Sequence, residues 1–204
     1  MTAASPARAS FVRAPDARRQ SLIEACAAGL AVRGVAGLSV RSICADAGVS
    51  PGLLRHYFAG IDALVAATYG HVGEQVSAAL AAAVAEAGAS PRARLHAYVT
   101  ASFRPPIAAP ELLATWLAFW SLVKTDPEIA RLHGEIYAAY RVELEQLLAD
   151  AGVAAADIRL AAIAVTALVD GLWLELSLDA QVFTAAEAGA MAERWLAAWL
   201  PPSA

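Results

Sequence analysis

The sequence predicts an all-α protein of about nine helices. Three observations carry this reading. Apolar residues recur at helical spacing in long Ala- and Leu-rich stretches, not in the alternation of strands. Those stretches are opened repeatedly by a capping residue with proline behind it, as at Ser50–Pro51, Ser90–Pro91 and Asp126–Pro127–Glu128. The composition, 59% hydrophobic and 17% charged over 204 residues, suits a sizeable core and not a disordered chain.

Each element follows from local signals. Residues 1–14 are small, polar and basic without periodicity, and read as a flexible basic arm. From Pro15 the pattern becomes helical, with Leu22, Cys26 and Leu30 in one stripe and Ile23 and Ala27 beside it. Gly34 and Gly37 end this helix. Ser39 caps a short second helix to about Ala47, with Ile43 inward, and Gly48 breaks it. A third helix runs from Ser50–Pro51 to about Tyr57, and a long fourth follows Gly60 to about Ala87. Ser90–Pro91 opens a fifth, ending at Pro105–Pro106. Pro110–Glu111 opens a sixth, to near Thr125, and Asp126 a seventh, to about Asp150. Asp157 opens an eighth, to about Leu178. Thr184 and Glu187 have capping-box spacing for a ninth, ending at Pro201–Pro202. The expected organisation is an arm over 1–14, a small helical unit over 15–60 and a larger helical body over 61–204.

Several function classes are disfavoured. Cys26 and Cys44 sit in apolar patterns and suggest neither a disulfide framework nor a metal site. The longest uncharged run, Leu112 to Val123, is short of the roughly 20 apolar residues a spanning helix needs. The acidic body also lacks a basic amphipathic helix, so no membrane partner is expected. The N-terminus has no apolar segment of a secretory signal, which leaves a cytoplasmic protein as the expectation. No P-loop, nucleophile elbow or metal-spaced cluster is present. His71, His96 and His133 are isolated and read as surface or packed residues. Neither an enzyme nor a cofactor is expected.

Charge points elsewhere. The net charge of −4 divides unevenly. Residues 1–60 carry seven arginines against three acids, or +4, and residues 61–204 carry eight basic against sixteen acidic residues, or −8. A basic end on an acidic body suits contact with a polyanion. Within the basic end, SVRSICADAGVSPGLLRHYF at 39–58 has the grammar of a helix-turn-helix. Gly48 permits a left-handed turn residue, and Val49 is placed to pack between the helices. The second helix of such a motif enters the major groove by its N-terminal end. There, Ser50 and Pro51 open the helix, Gly52 allows close approach, and Leu53 suits a thymine methyl. Arg55 suits guanine O6 and N7. His56, Tyr57 and Arg41 suit phosphates.

This stretch resembles the DNA-binding domain of the TetR family of bacterial one-component repressors. The resemblance runs from about Arg18 to Thr68, through the AGVS turn, Gly52 and the closing HYF at 56–58. It implies a homodimer, an operator with two-fold symmetry, and a C-terminal domain whose ligand switches DNA affinity. One position departs. Ile61 stands where the family usually places a phosphate-gripping lysine, a loss that weakens binding without changing sequence preference. Arg8 and Arg13 of the arm are candidates to compensate in the minor groove.

The body carries an aromatic pattern. Trp116, Phe119 and Trp120 share a face of the sixth helix, Tyr137 and Tyr140 of the seventh, and Asp170 and Trp173 of the eighth. Aromatic rings with one carboxylate suit a cation, above all a quaternary ammonium. The same stripes also suit a plain core. Asp170 is harder to explain that way, since an unpaired buried carboxylate is costly. It pairs with a buried arginine, faces a wet pocket, or meets a cation. LATWLAFW at 113–120 and LVDGLWLE at 168–175 resemble the C-terminal domain of BetI-type regulators, the choline-responsive branch of the family. Glu175 stands where that branch suggests a basic residue, which favours a polyamine or another amine over choline. The helices at about 157–178 and 184–200 are apolar around much of their circumference. Ala161, Ala164, Val165 and Leu168, with Ala188, Met191, Ala192, Trp195, Leu196 and Trp199, are the candidates for a four-helix dimer interface.

Overall fold

The computed structural model describes residues 7–200, and of residues 7–15 the backbone alone. The described residues form helices and no strand: α1 (Ala7–Arg33), α2 (Val40–Asp46), α3 (Pro51–Tyr57), α4 (Ile61–Glu86), α5 (Pro91–Ala101), α6 (Pro110–Leu122), α7 (Pro127–Asp150), α8 (Ile158–Leu178) and α9 (Ala185–Ala197), with a 3-10 turn at Val35–Gly37. The helix starts lie where the caps put them. Ser39 closes a capping box with Ser42, and Thr184 one with Glu187. Ser50 accepts from the Leu53 amide, Ser90 from Ala93, and Asp126 from Glu128 and Ile129. Each satisfies a backbone donor that the first turn leaves without a partner. Asp157 is the exception: its side chain makes no capping bond.

Two expectations are corrected. Helix α1 begins at Ala7, not at Pro15, so residues 7–14 are helical and not a flexible arm. The segment ARASFVRA has no glycine and is rich in the helix formers alanine and arginine. Residues 1–6 of the expected arm, and the side chains of Arg8 and Arg13, lie outside what is described. Second, α8 is by length and composition apolar enough to cross a membrane. Asp170 and Glu175 break its uncharged run without making it polar. In the fold it packs against α6, α7 and α9.

Helices α1 to α3 enclose a small core of Leu22, Ile23, Cys26, Leu30, Ile43, Cys44 and Leu54, closed by Phe58 and Leu64. This core is continuous with that of the body. Two elements join them. Helix α4 packs on α1 at one end and on α5 and α7 further along, and α1 lies directly against α6. In α4, a Cβ at Gly73 would come within 2.7 Å of Ile136 Cδ1 on α7, so glycine lets the two helices approach.

Candidate DNA-reading surface and ligand cavity

Helices α2 and α3 meet across Gly48, whose φ of 64° lies in the left-handed region where a side chain is strained. Leu54 and Phe58 point into the core. That fixes the rotation of α3 and leaves Pro51, Gly52, Arg55 and His56 exposed, with Leu53 and Tyr57 half-buried at the flanks. Ser50 and Arg41 are exposed beside them. Pro51, Gly52, Arg55 and His56 therefore share one solvent face of α3, with Arg55 and His56 in its last turn and not at its N-terminal end. The platform is braced from α1. Arg33 pairs with Asp46 at 2.7 Å, and the Arg19 guanidinium lies 5.3 Å from the Phe58 ring centroid. Ile61 is half-buried against the core and adds no positive charge at the start of α4.

In the body, α4, α6, α7 and α8 surround a cavity of about 40 Å³. Trp116, Tyr137, Tyr140, Trp173 and Asp170 line it, with Val76, Ile136 and Val169. Asp170 is the only charged residue among them. The Trp116 and Trp173 rings stand at 89°, 5.8 Å apart. Trp173 Nε1 donates to the Ser102 carbonyl at 2.9 Å, which locks its ring. The centre of the arrangement is the Tyr137 hydroxyl. It accepts from Trp116 Nε1 at 3.3 Å and from Trp120 Nε1 at 3.2 Å, and donates to Asp170 Oδ1 at 3.0 Å. Asp170 thus has a neutral donor as its partner, not a buried arginine. Burial pushes its carboxyl up to about 6, against the lowering effects of the Tyr137 bond and of Arg141. The Tyr140 hydroxyl is buried and makes no hydrogen bond of good geometry, with the Ser102 side chain as its hydrogen-bonding neighbour and Asp170 as its charged one.

Outside this cavity, between α7 and α8, lies an open groove of about 410 Å³. Trp120, Val123, Lys124, His133 and Leu174 form its walls, and it shares Tyr137 and Asp170 with the cavity. His133 Nδ1 lies 2.9 Å from the Tyr69 hydroxyl, and its ring packs 4.2 Å from that of Tyr137. Burial, reinforced by Arg141, holds His133 below its ordinary value and favours the neutral ring.

The candidates from sequence therefore separate. Trp116, Tyr137, Tyr140, Asp170 and Trp173 come together at the cavity, and Trp120 lines the groove. Phe119 lines neither: it is fully buried and stacks on Tyr69 at 4.3 Å. Residues three apart differ by about 60° around a helix, enough to turn Phe119 into the core. Glu175 is exposed and lines neither space. His133, expected as a surface or packed residue, is half-buried and packs on Tyr137 one turn later. Lys124 and Ser102 lie at helix ends, where no periodicity marks them.

The expected dimer stripe is offset. Ala161, Val165, Ala188, Ala192 and Leu196 are buried within the subunit. The large exposed apolar side chains on these helices are Leu160, Ile163, Leu174 and Leu178 of α8 and Met191 of α9. Both helices are apolar on two sides: α8 turns one of them to α6, α7 and α9, and α9 turns one to α5 and α8, within the same subunit.

Comparison with known proteins covers both halves. Residues 22–68 match the bacterial regulatory proteins of the tetR family, and residues 91–201 match the BetI-type transcriptional repressor C-terminal domain. The chain is 34% identical over 193 residues to the HTH-type transcriptional regulator BetI of Burkholderia thailandensis, which covers 93% of this chain and 96% of that protein. It is 33% identical over 197 residues to the regulator BetI of Paraburkholderia phymatum, with the same coverage of 93% and 96%. Among solved structures, a transcriptional regulator from Pseudomonas aeruginosa is 42% identical, with a TM-score of 0.81 over 90% of both chains. A transcriptional regulator from Saccharomonospora viridis, solved in complex with choline, has the same fold at 19% identity, with a TM-score of 0.78 over 91% of this chain and 98% of that one.

Proposed function

Because the chain belongs to the TetR family, as a transcriptional repressor with a BetI-type C-terminal domain, we propose how it works: it binds a two-fold symmetric operator as a homodimer, and a small cation of the choline class releases it. One observation carries the ligand reading. The cavity is walled by tryptophan and tyrosine rings, and its single charge is the Asp170 carboxylate. A quaternary ammonium has no N–H to donate and is held by ring faces and one anion. At about 40 Å³ the cavity is small, which favours a compact head group over a long chain. The Tyr140 hydroxyl is available to a ligand hydroxyl. The choline complex of the Saccharomonospora viridis regulator supports the same class. A polyamine is less well served, since Glu175 supplies no second carboxylate to the cavity.

The recognition surface is Arg41 with Ser50, Pro51, Gly52, Leu53, Arg55, His56 and Tyr57. Arg55 reads base edges, and the others position the helix on phosphates or pack against bases. Dimerisation uses the exposed stripe of α8 with Met191 of α9, which sets the spacing of the two α3 helices. The ligand acts as a population shift: it binds the arrangement that cannot span the operator more tightly than the one that can. Acting on DNA, the protein works in the cytoplasm.

The experiment is a tryptophan-fluorescence titration with choline, with spermidine in parallel, followed by choline release of a duplex the protein itself selects from random DNA. We expect a saturable change with choline, its loss in Asp170→Asn, and release of the duplex. Arg55→Ala should abolish duplex binding while leaving the dimer and choline affinity unchanged. Saturation by spermidine alone, or a duplex retained at saturating choline, overturns the reading.

A further inference from the structure

The groove beside the cavity is unused by a simple cation, and its lining adds a positive charge, Lys124, to the Asp170 that it shares with the cavity. Inside, the only charge is Asp170. Outside, Lys124 lines the groove, exposed and with no ion-pair partner among the described residues. The Arg141 guanidinium lies 5.9 Å from the Tyr137 ring centroid. His133, favoured neutral, adds no charge. An acidic group, Asp170, and a basic one, Lys124, therefore lie along one continuous lining, joined at the Tyr137–Asp170 pair that belongs to both spaces. Size points the same way. The cavity admits a head group and little more, whereas the groove of about 410 Å³ takes a tail.

We infer that cavity and groove form one site for a small zwitterion, a quaternary ammonium with an anionic group a few bonds away. The cationic head lies against Asp170 and the anion against Lys124. This rests on the cavity reading above and adds the second half of the ligand. A dipolar ligand is matched at both ends. A plain cation gains only the inner contact. The α7–α8 mouth is also the point of entry: the Tyr137–Asp170 hydrogen bond separates the two spaces, and a ligand spanning both takes its place. Gly171 and Leu174 of the groove belong as well to the exposed face of α8, so the test is made where the protein is dimeric.

The test compares choline, carnitine and phosphocholine by calorimetric titration of the full chain at pH 7.5. We expect at least one zwitterion to bind tenfold or more tighter than choline. Lys124→Gln should erase that advantage and leave choline unchanged, and Lys124→Glu should reverse the order. Lys124 is exposed, so neither variant threatens the fold. Two outcomes overturn the inference while leaving the cavity reading standing: zwitterions no tighter than choline, or Lys124→Gln weakening all three alike. Binding of none of the three overturns both.

Discussion

At Asp170 stability and function pull in opposite directions. A free aspartate loses its proton near pH 4. Burial in the cavity pushes this one up to about 6. Between those values the folded protein holds a proton that the unfolded chain has released. The contribution is therefore complete below about pH 4 and is lost as pH rises to about 6. At neutral pH the ionised carboxylate is a net cost to the fold. Asp170→Asn keeps an oxygen to accept from Tyr137 and removes that cost. We expect it to raise stability at pH 7.5 by about 1–3 kcal/mol, with the gain shrinking toward pH 4. Urea unfolding at the two pH values measures this. The cation needs the ionised form, so wild-type affinity for choline should fall as pH drops below 6, approaching tenfold per unit. A pH-independent affinity between pH 5 and 8, or a less stable Asp170→Asn at pH 7.5, contradicts the assignment. That Asp170 was unusual was legible in its apolar helix. Its partner was not, because Tyr137 lies 33 residues earlier on another helix, and pattern along one helix does not reveal pairing between two.

At the scale of elements, whatever is decided locally could be read from the sequence. Ser39, Ser50, Ser90, Asp126 and Thr184 cap the helices they precede because each bond closes within three residues. The rotation of a helix that is apolar on two sides is decided by its neighbours. Helix α8 shows this: Val165 was assigned to a partner yet is buried under the subunit's own helices, while Ile163, two residues earlier, is exposed. Two glutamate substitutions separate the faces. Ile163→Glu should give a folded monomer, with helicity retained, the sedimentation mass halved and operator affinity lost. Val165→Glu should unfold the body, because it buries an unpaired carboxylate in the core. An Ile163→Glu dimer would move the interface off this stripe.

At the scale of the molecule, a ligand between α4, α6, α7 and α8 must reach a reading helix built on α1 to α3. Helix α4 is the obvious lever, since it carries the buried Tyr69, stacked on Phe119 and edge-on to Trp116, and runs on to the recognition domain. A second route is direct. Thr115 precedes Trp116, and its hydroxyl lies 3.2 Å from the Ala27 carbonyl of α1 and 2.7 Å from that of Glu111. Helix α1 continues to Arg33, which holds Asp46 of α2. Displacement of Trp116 by a ligand is thus one residue from a contact that positions the whole DNA-reading unit. Thr115→Val keeps the volume and removes the bond. We expect choline affinity and operator affinity, each measured alone, to change less than threefold. The factor by which choline weakens operator binding should drop severalfold, from a range of about 5–150 usual for allosteric coupling. Linkage supplies an internal check: operator DNA must weaken choline binding by that same reduced factor. Full coupling in Thr115→Val would leave α4 as the sole lever. Lost operator affinity without ligand would make the α1–α6 contact a prop of the DNA-reading unit and not a transmitter.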